Sequence, residues 1–362
     1  MEENIYLIWL SQINGLGMKK QDLLLNFFGS AKEIFFATEK QLSSVKGLFA
    51  QNISSIIIKQ KMELLDQIKK MLFDKNIKYV SKFDSGYPEN LLNISNPPIG
   101  LYVLGNLPAG NKPKISIIGS RKCSDYGKAV SFKFAKELAQ NDVIIVSGFA
   151  RGIDTQAHLG ALDADGITIG VLGCGVDVCY PPENKNIIGA VLKKGCFVSE
   201  YPPETKPFAS HFPVRNRIIS GLSSATLIIE AEKHSGTHIT CDQALEQGRD
   251  VFAVPGNITS RFSQGTNALI SQGANMALCP GDILDYLNMN SNIAVNKNET
   301  PQLELENEEK LIYGCIGLEP VDIEQIIIET KCQVSTAVFI LTELELKGYI
   351  KQLPGQKYAR AI

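Results

Sequence analysis

KISIIGSR (114–121) is a short β-branched run that ends on a glycine, and a helical pattern, YGKAVSFKFAKELAQN (126–141), follows it. The same unit recurs along the chain. DVIIVSGFARG (142–152), ITIGVLGCGVD (167–177), CFVSEYPP (196–203), ATLIIEA (225–231) and DVFAVPG (250–256) read as further strands. IDTQAHLGALDA (153–164) and THITCDQALEQG (237–248) read as helices between them. Near-continuous apolar strands alternating with helices predict an α/β fold: an extended Rossmann-like, doubly wound, mostly parallel sheet covered on both faces. Ligand crevices in such sheets lie at the carboxyl ends of the strands, where these glycine loops fall.

Outward from this block the texture changes twice. Residues 1–75 are helical by periodicity, with two similar turns, INGLGMKK (13–20) and VKGLFAQN (45–52). Such turns can offer helix N–H groups to a phosphate, but without a nearby arginine they read as tight turns between packed helices. The α/β block spans 76–290. A polar stretch at 291–310, containing NKNETPQLELENEEK, reads as a linker. The tail, 311–362, has three helical segments and a closing hairpin, YIKQLPGQKYAR (349–360), the outline of a winged helix.

The bulk numbers exclude several classes. A net charge of −2 and pI near 6.2 carry no global basic signature, so any anion site must be a local concentration of charge and backbone N–H groups. No apolar run is long enough to span a membrane, and the acidic start MEENIYLIWL lacks the basic residues of a signal peptide; a cytoplasmic protein is expected. The eight scattered cysteines form no CxxC pair and read as buried, reduced thiols. His234 and His238 alone have ligand-like spacing, with no cysteine pair beside them, so neither a metal nor a cofactor is expected.

Arginine is used sparingly: seven of 36 basic residues, six of them between 121 and 261. A planar, forked, permanently charged donor suits phosphate better than lysine does. Gly119, Ser120 and Arg121 follow a strand directly. This is no Walker A loop, because seven residues instead of four separate Gly119 from Gly127. SGFARGID (147–154) brings Ser147, Gly148, Phe149 and Arg151; YPPENK (180–185) brings Asn184 and Lys185; HSGTHIT (234–240) brings Ser235, Gly236 and Thr237. FPVRNRIISGL (212–222) adds Phe212, Arg215, Asn216 and Arg217, with the two arginines expected to straddle a phosphate backbone and Asn216 to tie the loop in place. A parallel sheet gathers all these loops on one rim, as a groove for a polyanion.

The series IIGSRKCSDYG, IVSGFARGIDTQAH, VLGCGVDVCYPPENK, SEYPPETKP, FPVRNRIISGLS, IIEAEKHSGTHIT and GRDVFAVPGNI, in this order, closely resembles the DprA (Smf) family of DNA-processing proteins. The resemblance implies a three-part chain, with a helical SAM or helix-hairpin-helix-like domain before the Rossmann domain and a winged helix after it. It implies sequence-independent single-stranded DNA binding, homodimerisation, and transfer of incoming DNA to the recombinase RecA in natural transformation and homologous recombination. Arg121, Lys185, Arg215 and Arg217 match the family's DNA contacts. Basic residues that some members carry just before the FP pair are replaced here by Phe208, Ala209 and Ser210.

A nucleotide phosphoribohydrolase of the cytokinin-activating LOG type is the rival reading. Those enzymes need a carboxylate where this chain has Thr240, and no Asp or Glu lies between His234 and Cys241. A neutral threonine cannot replace an ionised acid at a sugar, so a binder is expected. By its chemistry the tail is poorly suited to reading DNA. Its presumed recognition helix, VSTAVFILTELELK (334–347), offers no base-reading donors beyond Lys347 and includes Phe339 and Ile340, which suits packing or a protein partner. The wing lysines, Lys351 and Lys357, are its phosphate contacts if it has any.

Overall fold

The computed structural model describes residues 2–110, 112–233, 235–289, 307–317 and 320–360. Most of the expected linker, 291–306, lies outside them, as does His234. The chain divides into two compact units, 1–290 and 291–362.

The first unit is built on nine strands: β1 (Ile77–Ser81), β2 (Gly100–Gly105), β3 (Lys114–Ile118), β4 (Ile144–Ser147), β5 (Thr168–Val171), β6 (Cys196–Ser199), β7 (Ala225–Ile228), β8 (Asp250–Ala253) and β9 (Asn275–Met276). Their order is β1-β2-β6-β5-β4-β3-β7-β8-β9. Pairings from β6 across to β9 are parallel, and β1–β2 and β2–β6 are antiparallel. The chain winds from β3 outward to β6, then returns to the other side of β3 through β7. That reversal, between β3 and β7, is a topological switch point, and it opens a crevice at the strand ends.

The six sequence-read strands are β3 to β8. Ile115, Ile117, Ile145, Val146, Ile169, Val171 and Leu227 are all buried, which is why the pattern lacks polar alternation. The polar groups inside are paired: Ser116 donates to Thr226 Oγ1 at 2.8 Å and Ser147 Oγ to Ile117 O at 2.6 Å. Of the eight cysteines, three are buried (Cys174, Cys196, Cys241), four half-buried and Cys279 exposed, so burial holds for fewer thiols than the composition suggested. All eight are free.

Helices Glu2–Ser11, Met18–Phe28, Ala31–Phe36, Glu39–Ser43, Ala50–Lys59 and Met62–Asp74 precede the sheet. Trp9, fully buried, anchors them and donates its indole N–H to Lys59 O at 2.7 Å. The two similar turns meet each other: Asn52 Nδ2 donates to Gly15 O at 3.0 Å. No core boundary separates these helices from the sheet. Ile5, Trp9, Ile34 and Leu65 share one apolar cluster with Ile77, Tyr102, Phe149 and Phe197.

In the second unit, helices Asn307–Cys315, Ile323–Thr330 and Val334–Leu346 pack with strands Val321–Asp322, Ile350–Leu353 and Lys357–Arg360. Ile312, Ile326, Ile340, Leu341 and Leu344 form its core. Phe339, by contrast, is 63% exposed, while Lys347 is held by Glu309 at 2.6 Å. Among the described residues no helix is long and apolar enough to cross a membrane.

Candidate nucleic-acid interface

The switch-point crevice encloses about 590 Å³. Gly119, Ser120, Arg121 and Lys122 follow β3; Ala150 and Asp154 follow β4; Glu232, Ser235, Gly236 and Thr237 follow β7; and Phe212, Arg215 and Asn216 come from a helix that closes one side. A side chain at position 119 is excluded, since a Cβ there would meet Ile153 Cγ1 at 2.7 Å and Glu230 O at 2.9 Å. The loop is pinned from below by a residue that sequence reasoning missed. Glu230, buried just past β7, accepts from Ser124 N at 2.9 Å and from Ser124 Oγ, and its carbonyl accepts from Ser120 N at 2.9 Å. Ser124 in turn caps the Asp125–Gln140 helix through Gly127 N at 3.0 Å. Gly127 presses on the carboxylate so closely that a Cβ would lie 2.4 Å from Glu230 Cδ. Gly127→Ala is therefore expected to cost about 1–3 kcal/mol by overpacking, and to cost much less when added to Glu230→Ala than when added to the native chain, read from denaturant midpoints.

Arg121 is exposed, and among the described residues its guanidinium has no ion-pair or hydrogen-bond partner. Its Cζ stands 5.3 Å from the Phe212 ring, which itself lies 5.6 Å from the Tyr180 ring at 35°. Both aromatics line the groove. An arginine beside partly exposed aromatic rings is a combination suited to single strands, phosphate on the cation and base on the ring. The amino end of the Thr237–Glu246 helix faces the same space and favours an anion.

The two arginines of the FPVRNR stretch part company. Residues 212–222 form no loop: they belong to the helix His211–Leu222. Two residues on a helix are about 200° apart, so Arg215 and Arg217 cannot face one strand together. Arg215 is buried in the groove floor, donating to Gly148 O at 2.7 Å, to Val171 O and to Asn216 Oδ1. Burial pulls its guanidinium down to about 10, with the neighbouring Asp154 acting in the opposite direction. Burial likewise pushes the Asp154 carboxyl up, against the pull of Arg215. The pair shapes the floor. Arg217 lies outside the groove, its Nη2 on both Glu200 oxygens at 2.8 and 2.9 Å and its Nε on Asn96 O at 3.1 Å. Local salt bridging is its role, and the expected straddling of a backbone does not occur.

Several other expected residues hold the frame. Ser147 and Phe149 are buried, Phe149 packing 4.8 Å from Phe197 and 5.5 Å from the His158 ring. Gly148 serves through its carbonyl. Asn184 is buried, donating to Phe149 O at 3.0 Å, and so fixes the β4 loop. Arg151 pairs with Glu183 at 2.7 Å, and Lys185 is exposed on the turn Pro182–Ile187; neither lines the crevice. Thr240, where the rival enzyme would need an acid, is buried in the groove wall. Asp154 and Glu232 are the carboxylates that do line it. Both stood in the quoted motifs, GID and IIEAEK, but strand-end position alone did not single them out. His238 Nε2 lies 3.2 Å from Glu232 O.

A doubly wound sheet whose switch-point crevice carries an exposed arginine on an aromatic pair and a helix amino end is a Rossmann-type fold with a crevice suited to an anion. The family model of DNA recombination-mediator protein A matches residues 78–288, and that of the DprA winged helix domain matches 296–356. The chain belongs to the DprA/Smf family of DNA-processing proteins. Protein Smf of Synechocystis sp. is 32% identical over 394 residues, covering 99% of each chain. DNA processing protein DprA of Streptococcus pneumoniae is 43% identical over 56% of this chain and 72% of its own. The X-ray structure of the S. pneumoniae protein superposes with a TM-score of 0.68 at 33% identity, over 78% of this chain and 97% of that one. The structure of the Helicobacter pylori protein, described for its single-stranded DNA binding mode, gives 0.52 at 29% identity over 58% and 96%.

Proposed function

We propose that this chain binds single-stranded DNA without regard to sequence, protects incoming strands and delivers them to RecA in natural transformation and recombination, as a cytoplasmic homodimer. The observation that carries the reading is the exposed Arg121 guanidinium, without an ion-pair or hydrogen-bond partner among the described residues, over the Phe212–Tyr180 pair. Contacts of this kind bind phosphate and base faces, which every sequence offers. The chain is a binder and no enzyme: Arg215 and the Ala150 N–H engage Asp154, and Glu232 faces Arg261. Asp154 is buried and held in place, and Thr240 stands where work on a sugar would need an acid.

Titration of labelled single- and double-stranded oligonucleotides at several salt concentrations tests this, with AMP supplied in parallel. Preference for the single strand, with no release of free base from AMP, is the expected result. Base release that depends on Arg121 would overturn it. Removing the chain from residue 300 onward should weaken single-strand binding by less than about tenfold, roughly 1.4 kcal/mol, at matched salt. The winged unit offers Lys351 and Lys357 as exposed charges, whereas the groove residues all lie within 1–290. Collapse of binding in a folded, dimeric truncation would move the DNA site to the winged helix.

A further inference from the structure

The loop after β8 carries a second arginine stacked on a phenylalanine. Arg261 is 69% exposed in its side chain, and its Cζ lies 4.7 Å from the ring of Phe262. The geometry repeats that of Arg121 on Phe212. Phe262 is stitched to the end of β7: its carbonyl accepts from Ala231 N at 2.9 Å, while Gly265 N donates to Ala231 O at 2.8 Å. The residue after Ala231 is Glu232, a wall of the groove. Arg261 Nε sits 3.8 Å from Glu232 Oε1, too far for a hydrogen bond, and both side chains are about half exposed or more. An ion pair of this kind is worth little and is easily exchanged for a better acceptor.

We propose that Arg261 is a second phosphate-binding residue, which carries the groove one step further along the sheet rim, with Glu232 as its counter-ion in the DNA-free protein. The inference rests on the single-stranded DNA reading above. The topology supplies the spacing. β3, β7 and β8 are adjacent parallel strands, so the loops bearing Arg121 and Arg261 leave the sheet two strand positions apart, on the order of 10 Å. The two guanidiniums therefore take different phosphates of one strand. A strand laid from Phe212 past Arg121 toward β8 meets Glu232 before Arg261, and its charge opposes the phosphate while it holds Arg261 nearby. Binding exchanges a loose carboxylate for a phosphate oxygen on the same fork.

The test uses the full chain and labelled oligothymidine over a range of salt. Arg261→Ala should lower affinity about threefold to tenfold and reduce the magnitude of the salt slope by about 0.7, the share of one phosphate contact on a single strand. Glu232→Gln should raise affinity, about threefold, because it removes the opposing charge and frees the guanidinium. Arg121→Ala is the reference variant. If it weakens binding while Arg261→Ala leaves affinity and slope unchanged, Arg261 is no contact and the groove reading stands. If Arg121→Ala has no effect either, the groove itself is not the DNA site and both readings fall together. Lower affinity in Glu232→Gln would also overturn the counter-ion role.

Discussion

Arg121→Glu is expected to weaken single-stranded DNA binding by about a hundredfold at low salt, near 2.7 kcal/mol. The substitution removes a charge-assisted contact and places a carboxylate where a phosphate must sit, so the loss exceeds that of the alanine variant. Folding should be untouched, because the side chain is exposed and, among the described residues, bonds to nothing. Arg151→Glu is the control: it reverses an equally exposed arginine that pairs with Glu183 outside the crevice. A fall of similar size in both variants would mean that overall charge, and not this groove, sets affinity. The measurement is a salt-resolved binding titration beside a thermal melt.

The second large effect is acid sensitivity from His158. Thr168 Oγ1 gives its one proton to Ile145 O at 3.0 Å and lies 2.7 Å from His158 Nδ1. Nδ1 must therefore carry the proton, which leaves Nε2 bare and buried, without a partner among the described residues. Burial, reinforced by the nearby Arg215 charge, holds this imidazole down to about 3. The unfolded chain binds a proton near 6.5 and the folded chain does not, so stability from this group is present above 6.5 and is lost as pH falls toward 3. The full loss is of order 5 kcal/mol. Asp154, raised by burial, acts with the opposite sign: its contribution is lost as pH rises. Comparing variants isolates the histidine. His158→Phe should flatten the acid limb between pH 6 and 4, followed by denaturant titration with Trp9 fluorescence. An unchanged limb would remove His158 as the cause.

The sequence exposed the parallel strands, because burial on both faces leaves an unbroken apolar run followed by a glycine loop. It hid β1 and β2, whose pairing is antiparallel at the side where the amino-terminal helices pack. In the groove, Arg121 and the Ser235–Thr237 turn were readable from strand-end position. Arg215 and Arg217 were misread together, since composition reports that a guanidinium is present but not which side of a helix it takes. Carboxylates such as Glu230 and Asp154 were invisible for a related reason. Their importance lies in what they hold, and the partners are more than 100 residues away for Glu230 and 61 for the Asp154–Arg215 pair.

The shared core of the amino-terminal helices and the sheet bears on inheritance. A recombination breakpoint near residue 75 would cut through one continuous packing, baring Ile77, Tyr102 and Phe197 on one product and Trp9 and Leu65 on the other. Bonds such as Asn4 to Asp84 and Asp22 to Lys82 would go with it. Exchange of that segment between lineages thus requires compensating change on both sides of the joint. In this chain the helices and the sheet are fitted to each other, so changes at Trp9 or Leu65 should be matched across the seam at Tyr102 or Phe197.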